Sequence, residues 1–157
     1  LNAGWIDTLG KEFCFYKYGT TPSIARMIEA VYKEVKMTAG AVGTKMLEYP
    51  EESFRSKETI MSYYFKAPFD REGRVANISG PSSVEARSLT EDVPYGLGPV
   101  ALLARKLDIA TPTIDAVIHL ASVINQTDYY SEGRLLEELG IAGLDRNQLD
   151  KVLQDGF

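Results

Sequence analysis

Apolar residues recur at intervals of three and four along much of the chain, the spacing of one face of an α-helix. A long amphipathic helix is predicted from Pro22, with Thr21 as its N-cap. Its apolar positions are Ile24, Ile28, Val31, Val35, Val42 and Met46. Thr111-Pro112 repeats the same start signal before a second helix. The apolar positions there are Ile114, Val117, Ile118, Ala121 and Ile124.

Further helices are predicted at about residues 56–65, from the Glu91-Asp92 region through Leu107, within 131–143 and within 145–157. Asp145 and Gln148 open the last of these with a capping-box signature. Residues 1–19 are predicted to be a connector with one short apolar element, and 69–87 a loop. Because no stretch alternates at period two for long, the predicted fold class is an all-α helical domain.

Two adjacent carboxylates, Glu91 and Asp92, stand just before Pro94 in this pattern. Carboxylates at a helix start are favoured by the helix dipole, so a purely capping role is the simpler interpretation. The functional alternative is that an ionised carboxylate held there orients a histidine for acid-base chemistry. The single histidine, His119, lies in an apolar helical run, so the partner of Asp92 is expected outside this chain.

Composition and charge exclude several classes of function. The net charge of −5, with Lys and Arg scattered, argues against nucleic-acid binding. No apolar run approaches the roughly 20 residues of a membrane-spanning helix. One cysteine and one histidine exclude a Cys/His zinc site, and we expect no metal. The lone Cys14 is predicted to be a small apolar side chain in a reducing compartment, the cytoplasm.

The run Gly96-Leu97-Gly98-Pro99-Val100-Ala101 formally matches the phosphate-binding turn G-x-G-x-x-G/A. That turn needs a buried strand before its first glycine. The preceding letters, LTEDVPY, carry two charges and a proline, which a central strand does not accept. We therefore predict no cofactor-binding residue here. Arg87 is either a solvated surface arginine or a bidentate ligand of a carboxylate or phosphate. Tyr95 either packs or donates a hydroxyl into a cleft.

Several spaced motifs occur in the order found in one enzyme family. Residues 87–97 fit R-x-x-x-E-D-[VI]-P-x-G-L, TPTID fits T-P-x-I-D, and GRLLEELGIAGL fits G-R-x-L-E-x-L-G-L-x-G-L. Nearer the start, LNAG and FYKYGTTPSIA are similar to L-N-x-G and F-Y-x-x-G-x-T-P-S-V-A. Together they resemble the C-terminal domain of the octopine/nopaline (opine) dehydrogenase family, over nearly the whole chain and most weakly at about 47–80.

The resemblance implies a two-domain enzyme, with a Rossmann domain followed by an all-α domain similar to that of 6-phosphogluconate dehydrogenase. Such enzymes condense an amino acid with a 2-keto acid using NAD or NADP in reduced form. The implied roles are Asp92 as partner of a catalytic histidine just upstream of Leu1, Arg87 holding the keto-acid carboxylate, and Tyr95 and Asn2 binding substrate. A homodimer is implied as well.

Two positions depart from the family pattern, Trp5 in place of Arg and Gly98 in place of Val. Because the cofactor domain and the histidine are expected outside residues 1–157, this chain alone is predicted to be inactive. Two alternatives stay open: a keto-acid/hydroxy-acid dehydrogenase of the same fold, and a non-catalytic helical dimerisation module.

Overall fold

The computed structural model describes residues 1–55 and 57–156, and its regular secondary structure there is helical. The α-helices are α1 (Ala3–Leu9), α2 (Pro22–Ala41), α3 (Lys57–Phe65), α4 (Arg87–Thr90), α5 (Gly98–Lys106), α6 (Pro112–Asn125) and α7 (Arg146–Asp155). Short 3₁₀ turns at Gly10–Glu12 and Glu51–Phe54 and π-helical turns at Phe15–Gly19 and Asp92–Leu97 join them. The described residues contain no strand, only an isolated bridge between Cys14 and Ser79. The all-α fold class is confirmed.

Some predicted boundaries were wrong. Helix α2 ends at Ala41, because Gly43 adopts a φ of 72°, a left-handed conformation that stops a helix. Residues 131–143 form turns instead of a helix, and α1 lies in the predicted connector. The leucine spacing of residues 131–143 had favoured a helix, but the glycines at 133, 140 and 143 interrupt that helix. Ser56 and Phe157, at the edges of two predicted helices, lie outside the described residues.

The chain divides into two compact units. The first consists of Leu1–Ala30 and Glu48–Ala86. Its buried apolar side chains are Ile6, Phe13, Ala25, Phe54, Ile60, Met61 and Ala76. The Gly80 N–H donates to the Phe13 carbonyl at 2.6 Å, and the Phe15 N–H donates to the Ile78 carbonyl at 3.3 Å. These bonds hold the aromatic segment after α1 against the predicted loop.

The second unit consists of Val31–Leu47 and Arg87–Phe157 and has two apolar clusters. The buried members of the first are Val93, Ala101, Ile114, Ile118, Ala121 and Tyr129. Those of the second are Val42, Ile141 and Leu149, with Leu136, Leu139 and Leu144 packed around them. Leu136 and Leu139 therefore pack against a core although their backbone is not helical.

Glu34 caps the start of α6 from a distant part of the chain. Its Oε1 accepts the Thr113 N–H and its Oε2 accepts the Ile114 N–H, both at 2.8 Å. Pro112 has no N–H, and the Asp115 N–H bonds the Thr111 carbonyl, so the backbone donors of this helix start are satisfied. The Thr111 side chain makes no cap. The predicted start, with Thr111 at the N-cap position, is confirmed, but the Glu34 carboxylate accepts the N–H groups in place of the Thr111 hydroxyl.

We expect Glu34→Ala to lower the free energy of unfolding by roughly 2–4 kcal/mol, since it leaves two N–H groups at a helix end without acceptors. Urea unfolding measures this. Met37→Ala, on the same helix with 52% of the residue exposed, is the control and should change stability by less than about 0.5 kcal/mol. Equal losses in the two variants would contradict the capping role.

Candidate active site

The π-helical turn Asp92–Leu97 presents two kinds of side chain to its surroundings. Val93 and Pro94 are buried, Val93 in the first apolar cluster of the second unit, whereas Asp92 and Tyr95 are exposed. Helical bonds continue into the turn, from the Glu91 N–H to the Arg87 carbonyl at 2.7 Å and from the Tyr95 N–H to the Glu91 carbonyl at 2.9 Å. Turns of this type are frequent at functional sites.

The expected capping role of Glu91 and Asp92 was wrong for the helix that follows. That helix, α5, begins at Gly98 with Pro99 in its first turn, so the two carboxylates stand a full π-turn before it. The Glu91 side chain makes no cap hydrogen bond. The prediction had placed Pro94 in the first turn of α5. The buried ring of Pro94 lies in the π-turn instead, so the helix starts later than expected.

Both carboxylates contact the Arg87 guanidinium instead. Nε of Arg87 lies 3.3 Å from Oε2 of Glu91, and Nη2 lies 3.9 Å from Oδ1 of Asp92. The Arg87 side chain is 76% exposed and the Asp92 side chain 62% exposed, so these pairs contribute little to stability. They place one cation and two anions on a single exposed turn, where a polar ligand can reach them.

A loop from Tyr129 to Arg134 packs directly against this turn. The ideal Cβ position of Gly133 lies 2.4 Å from the Pro94 carbonyl oxygen and 2.7 Å from that of Tyr129, so only glycine fits there. The Arg134 N–H donates to the Pro94 carbonyl at 3.2 Å. Its guanidinium lies 5.9 Å from the centre of the Tyr95 ring. Arg134 thus lies against Pro94 and Tyr95, on the same π-turn that begins at Asp92.

The sequence alone had assigned no role to Arg134. The Gly-Arg pair of its motif was the available signal, because a buried glycine followed by an exposed arginine is typical of a loop fixed close to another backbone. His119, by contrast, is exposed on α6.

Asn2 belongs to the first unit, so its predicted site role stays a prediction. Its Nδ2 donates to the Gly19 carbonyl at 3.2 Å, and its own carbonyl accepts the N–H groups of Trp5 and Ile6 at the start of α1. One amide hydrogen and the side-chain oxygen are not used in these bonds.

A second charged cluster joins α5 and α6. Nη2 of Arg105 donates to Oδ1 of Asp115 at 2.9 Å, and the same carboxylate oxygen accepts the Tyr130 hydroxyl. The Arg105 guanidinium stacks 4.2 Å from the centre of the Tyr130 ring. Burial and the bond to Asp115 raise the pKa of the Tyr130 hydroxyl far above its usual range, so it remains a donor. This cluster is structural.

A metal-binding cluster and a membrane-spanning helix are both absent from the described part of the chain. Residues 1–55 and 57–156 contain no group of three or more His, Cys, Asp or Glu side chains that could hold a metal ion. Within that part of the chain, no helix has the length and apolar character to cross a membrane.

Comparison with known proteins gives the family. The protein-family model described as NAD/NADP octopine/nopaline dehydrogenase, alpha-helical domain, matches residues 1–125 of the sequence. The chain belongs to this octopine/nopaline dehydrogenase family. It is also 36% identical over 148 residues to the opine dehydrogenase of Arthrobacter sp. (strain 1C), a match covering 92% of this chain. The chain spans 40% of the length of that relative.

The octopine/nopaline dehydrogenase family match covers some residues of the candidate site but not all of them. The family match includes Asn2, Arg87, Asp92 and Tyr95, whereas Arg134 lies beyond it. Gly96 of the formal dinucleotide motif lies in the π-turn, with no strand before it. The described residues therefore do not form the turn that holds a dinucleotide in a Rossmann fold.

Proposed function

We propose that this chain is the substrate-binding and catalytic-support domain of an oxidoreductase that condenses an amino acid with a 2-keto acid using NADH or NADPH. The observation that carries the proposal is the Arg87–Asp92 contact on an exposed turn, inside the family's R-x-x-x-E-D run. A Rossmann domain preceding these residues in the full-length protein holds the cofactor, which supplies the hydride.

In this proposal the two charged side chains have separate tasks. Arg87 binds the carboxylate of the keto acid, since a guanidinium offers two parallel donors to a carboxylate. Asp92 accepts the N–H of a histidine located upstream of Leu1, which fixes the tautomer and stabilises the imidazolium. That histidine then exchanges a proton with the keto oxygen. Tyr95, on the same turn as Asp92, is assigned to substrate binding, and Asn2 of the first unit is assigned a substrate-binding role separately.

Other parts of the proposal concern assembly and location. Residues 1–157 act as one helical domain, because α2 contributes residues to both compact units. The protein forms a homodimer, which is supported by the exposed apolar side chains of Leu120, Val123 and Ile124 on α6. The cytoplasm suits the free thiol of Cys14.

We expect the full-length protein to oxidise NADH or NADPH only when pyruvate and an amino acid are both present. The measurement is the loss of absorbance at the nicotinamide band with each substrate alone and with both, over a panel of amino acids. The secondary amine product is checked by mass. Oxidation with pyruvate alone would instead identify a hydroxy-acid dehydrogenase. No oxidation with any substrate pair would favour a non-catalytic module.

A further inference from the structure

We infer that Arg134 binds the carboxylate of the amino-acid substrate, as a second arginine beside Arg87; this inference rests on the proposed function. The condensation product is a secondary amine with two carboxylates. Arg87 is assigned to the carboxylate that comes from the keto acid. The other carboxylate needs its own cation on the same turn, and Arg134 is placed to provide it.

Position is the first support. The Arg134 N–H is 3.2 Å from the Pro94 carbonyl oxygen. Asp92 is two residues before Pro94, which is at most about 7 Å of extended chain. The Gly133 backbone lies so close to Pro94 and Tyr129 that the loop has no room to shift toward them. The Arg134 backbone is therefore bonded to the same π-turn that carries the proposed catalytic carboxylate.

The guanidinium of Arg134 is also available. Arg87, Arg105 and Arg146 each have a carboxylate within 4.0 Å, whereas Arg134 has none among the described residues. Its neighbour is the ring of Tyr95. An aromatic ring contacts the face of a guanidinium and leaves its N–H edges free for a carboxylate. The N–H groups along one edge of an exposed guanidinium can bind both oxygens of a carboxylate at once.

Charge complementarity agrees with this assignment. Arg87 shares its contacts with Glu91 and Asp92, so that half of the turn carries two negative charges against one positive charge. A substrate with two carboxylates would be repelled there without another cation. Arg134 supplies a second positive charge, so each of the two carboxylates of the product can meet a guanidinium.

The test uses Arg134→Gln and Arg134→Lys in the full-length protein, with Arg74→Gln as the matched control because Arg74 is an exposed arginine of the first unit. Arg134→Gln is expected to raise the KM for the amino acid about 10- to 100-fold, with the KM for pyruvate changed less than about twofold. Arg134→Lys should fall between Arg134→Gln and the wild type. Arg87→Gln should show the opposite pattern, with the larger change in the KM for pyruvate.

A second readout separates carboxylate binding from a structural effect. The wild type should prefer the amino acid to its carboxamide, and Arg134→Gln should lose most of that preference. Equal losses with both compounds, or a change confined to the KM for pyruvate, would overturn the inference. Thermal unfolding of each variant identifies any loss of fold, and Arg134→Lys then carries the test.

Equilibrium binding distinguishes this inference from the proposed reaction. Calorimetry is done with 2,2′-iminodipropionate, the condensate of alanine and pyruvate, and with lactate, which has one carboxylate. Arg134→Gln should weaken only the binding of the dicarboxylate. This result without turnover by the wild type would leave the inference standing and refute the reaction. If Arg134→Gln, Arg134→Lys and the wild type bind the dicarboxylate with equal affinity, the inference is overturned.

Discussion

Asp92→Asn in the full-length protein is expected to lower kcat by about 10²- to 10⁴-fold, while the KM for the nicotinamide cofactor stays nearly unchanged. Asparagine keeps the size of the side chain but removes the charge that orients and stabilises a protonated histidine. The loss of activity with rising pH should also begin at lower pH, because removing the carboxylate lowers the pKa of the histidine. Steady-state kinetics across a pH series measures both effects.

Glu91→Gln is the matched control for this variant. Glu91 is the neighbouring residue and contacts the same guanidinium, at 3.3 Å, so its loss disturbs the Arg87 ion pair without touching Asp92. We expect its kcat to fall less than about fivefold, since exposed ion pairs of this kind contribute little energy. Similar losses of kcat in Asp92→Asn and Glu91→Gln would mean that Asp92 acts only as an ion-pair partner of Arg87 and has no catalytic role. An unaltered kcat in Asp92→Asn would do the same.

The helices that could be predicted are those whose signals are local. Thr21 caps α2 through its hydroxyl, which accepts the Ile24 N–H at 3.3 Å, and Asp145 with Gln148 forms the predicted capping box of α7. Each signal involves residues three positions apart, so the sequence displays both partners. The start of α6 was predicted from the adjacent pair Thr111-Pro112, since proline is common at the first position of a helix.

Other features depend on partners that sequence spacing does not reveal. The carboxylate that caps α6 is Glu34, 79 residues from Thr113. The π-turn at Asp92–Leu97 was missed because Pro94 is equally suited to the first turn of an α-helix. Its assignment depends on the burial of Pro94, and on that of Val93 in a core built from distant helices.

The candidate site was predicted in part. Arg87 and Asp92 were named from the motif, and the structure places Nη2 of Arg87 3.9 Å from Oδ1 of Asp92. Their direct ion pair was not foreseen, because each had been assigned to a ligand or to a cap. Arg134 was missed, since only the packing of the loop on Pro94 brings residue 134 to residues 87–95. The roles of the four named site residues remain predictions.

Gly133→Ala is expected to have the largest effect on this loop, a loss of roughly 1–3 kcal/mol in the free energy of unfolding together with a raised KM for the amino acid. The added methyl group would lie 2.4 Å from the Pro94 carbonyl oxygen and 2.7 Å from that of Tyr129. Both neighbours are backbone atoms, so neither can rotate away. The loop must move off the π-turn, and Arg134 moves with it.

Gly143→Ala is the control, because Gly143 is exposed and its Cβ position has no atom within 4 Å. Its stability should stay within about 0.5 kcal/mol of the wild type. Urea unfolding measures the free energy of unfolding of each variant, and steady-state kinetics measures its KM for the amino acid. Unchanged stability and KM in Gly133→Ala would mean that the loop tolerates displacement and does not fix Arg134. A raised KM for the amino acid with little loss of stability would instead show that the close contact of Gly133 serves mainly to place that guanidinium on the π-turn that carries Asp92.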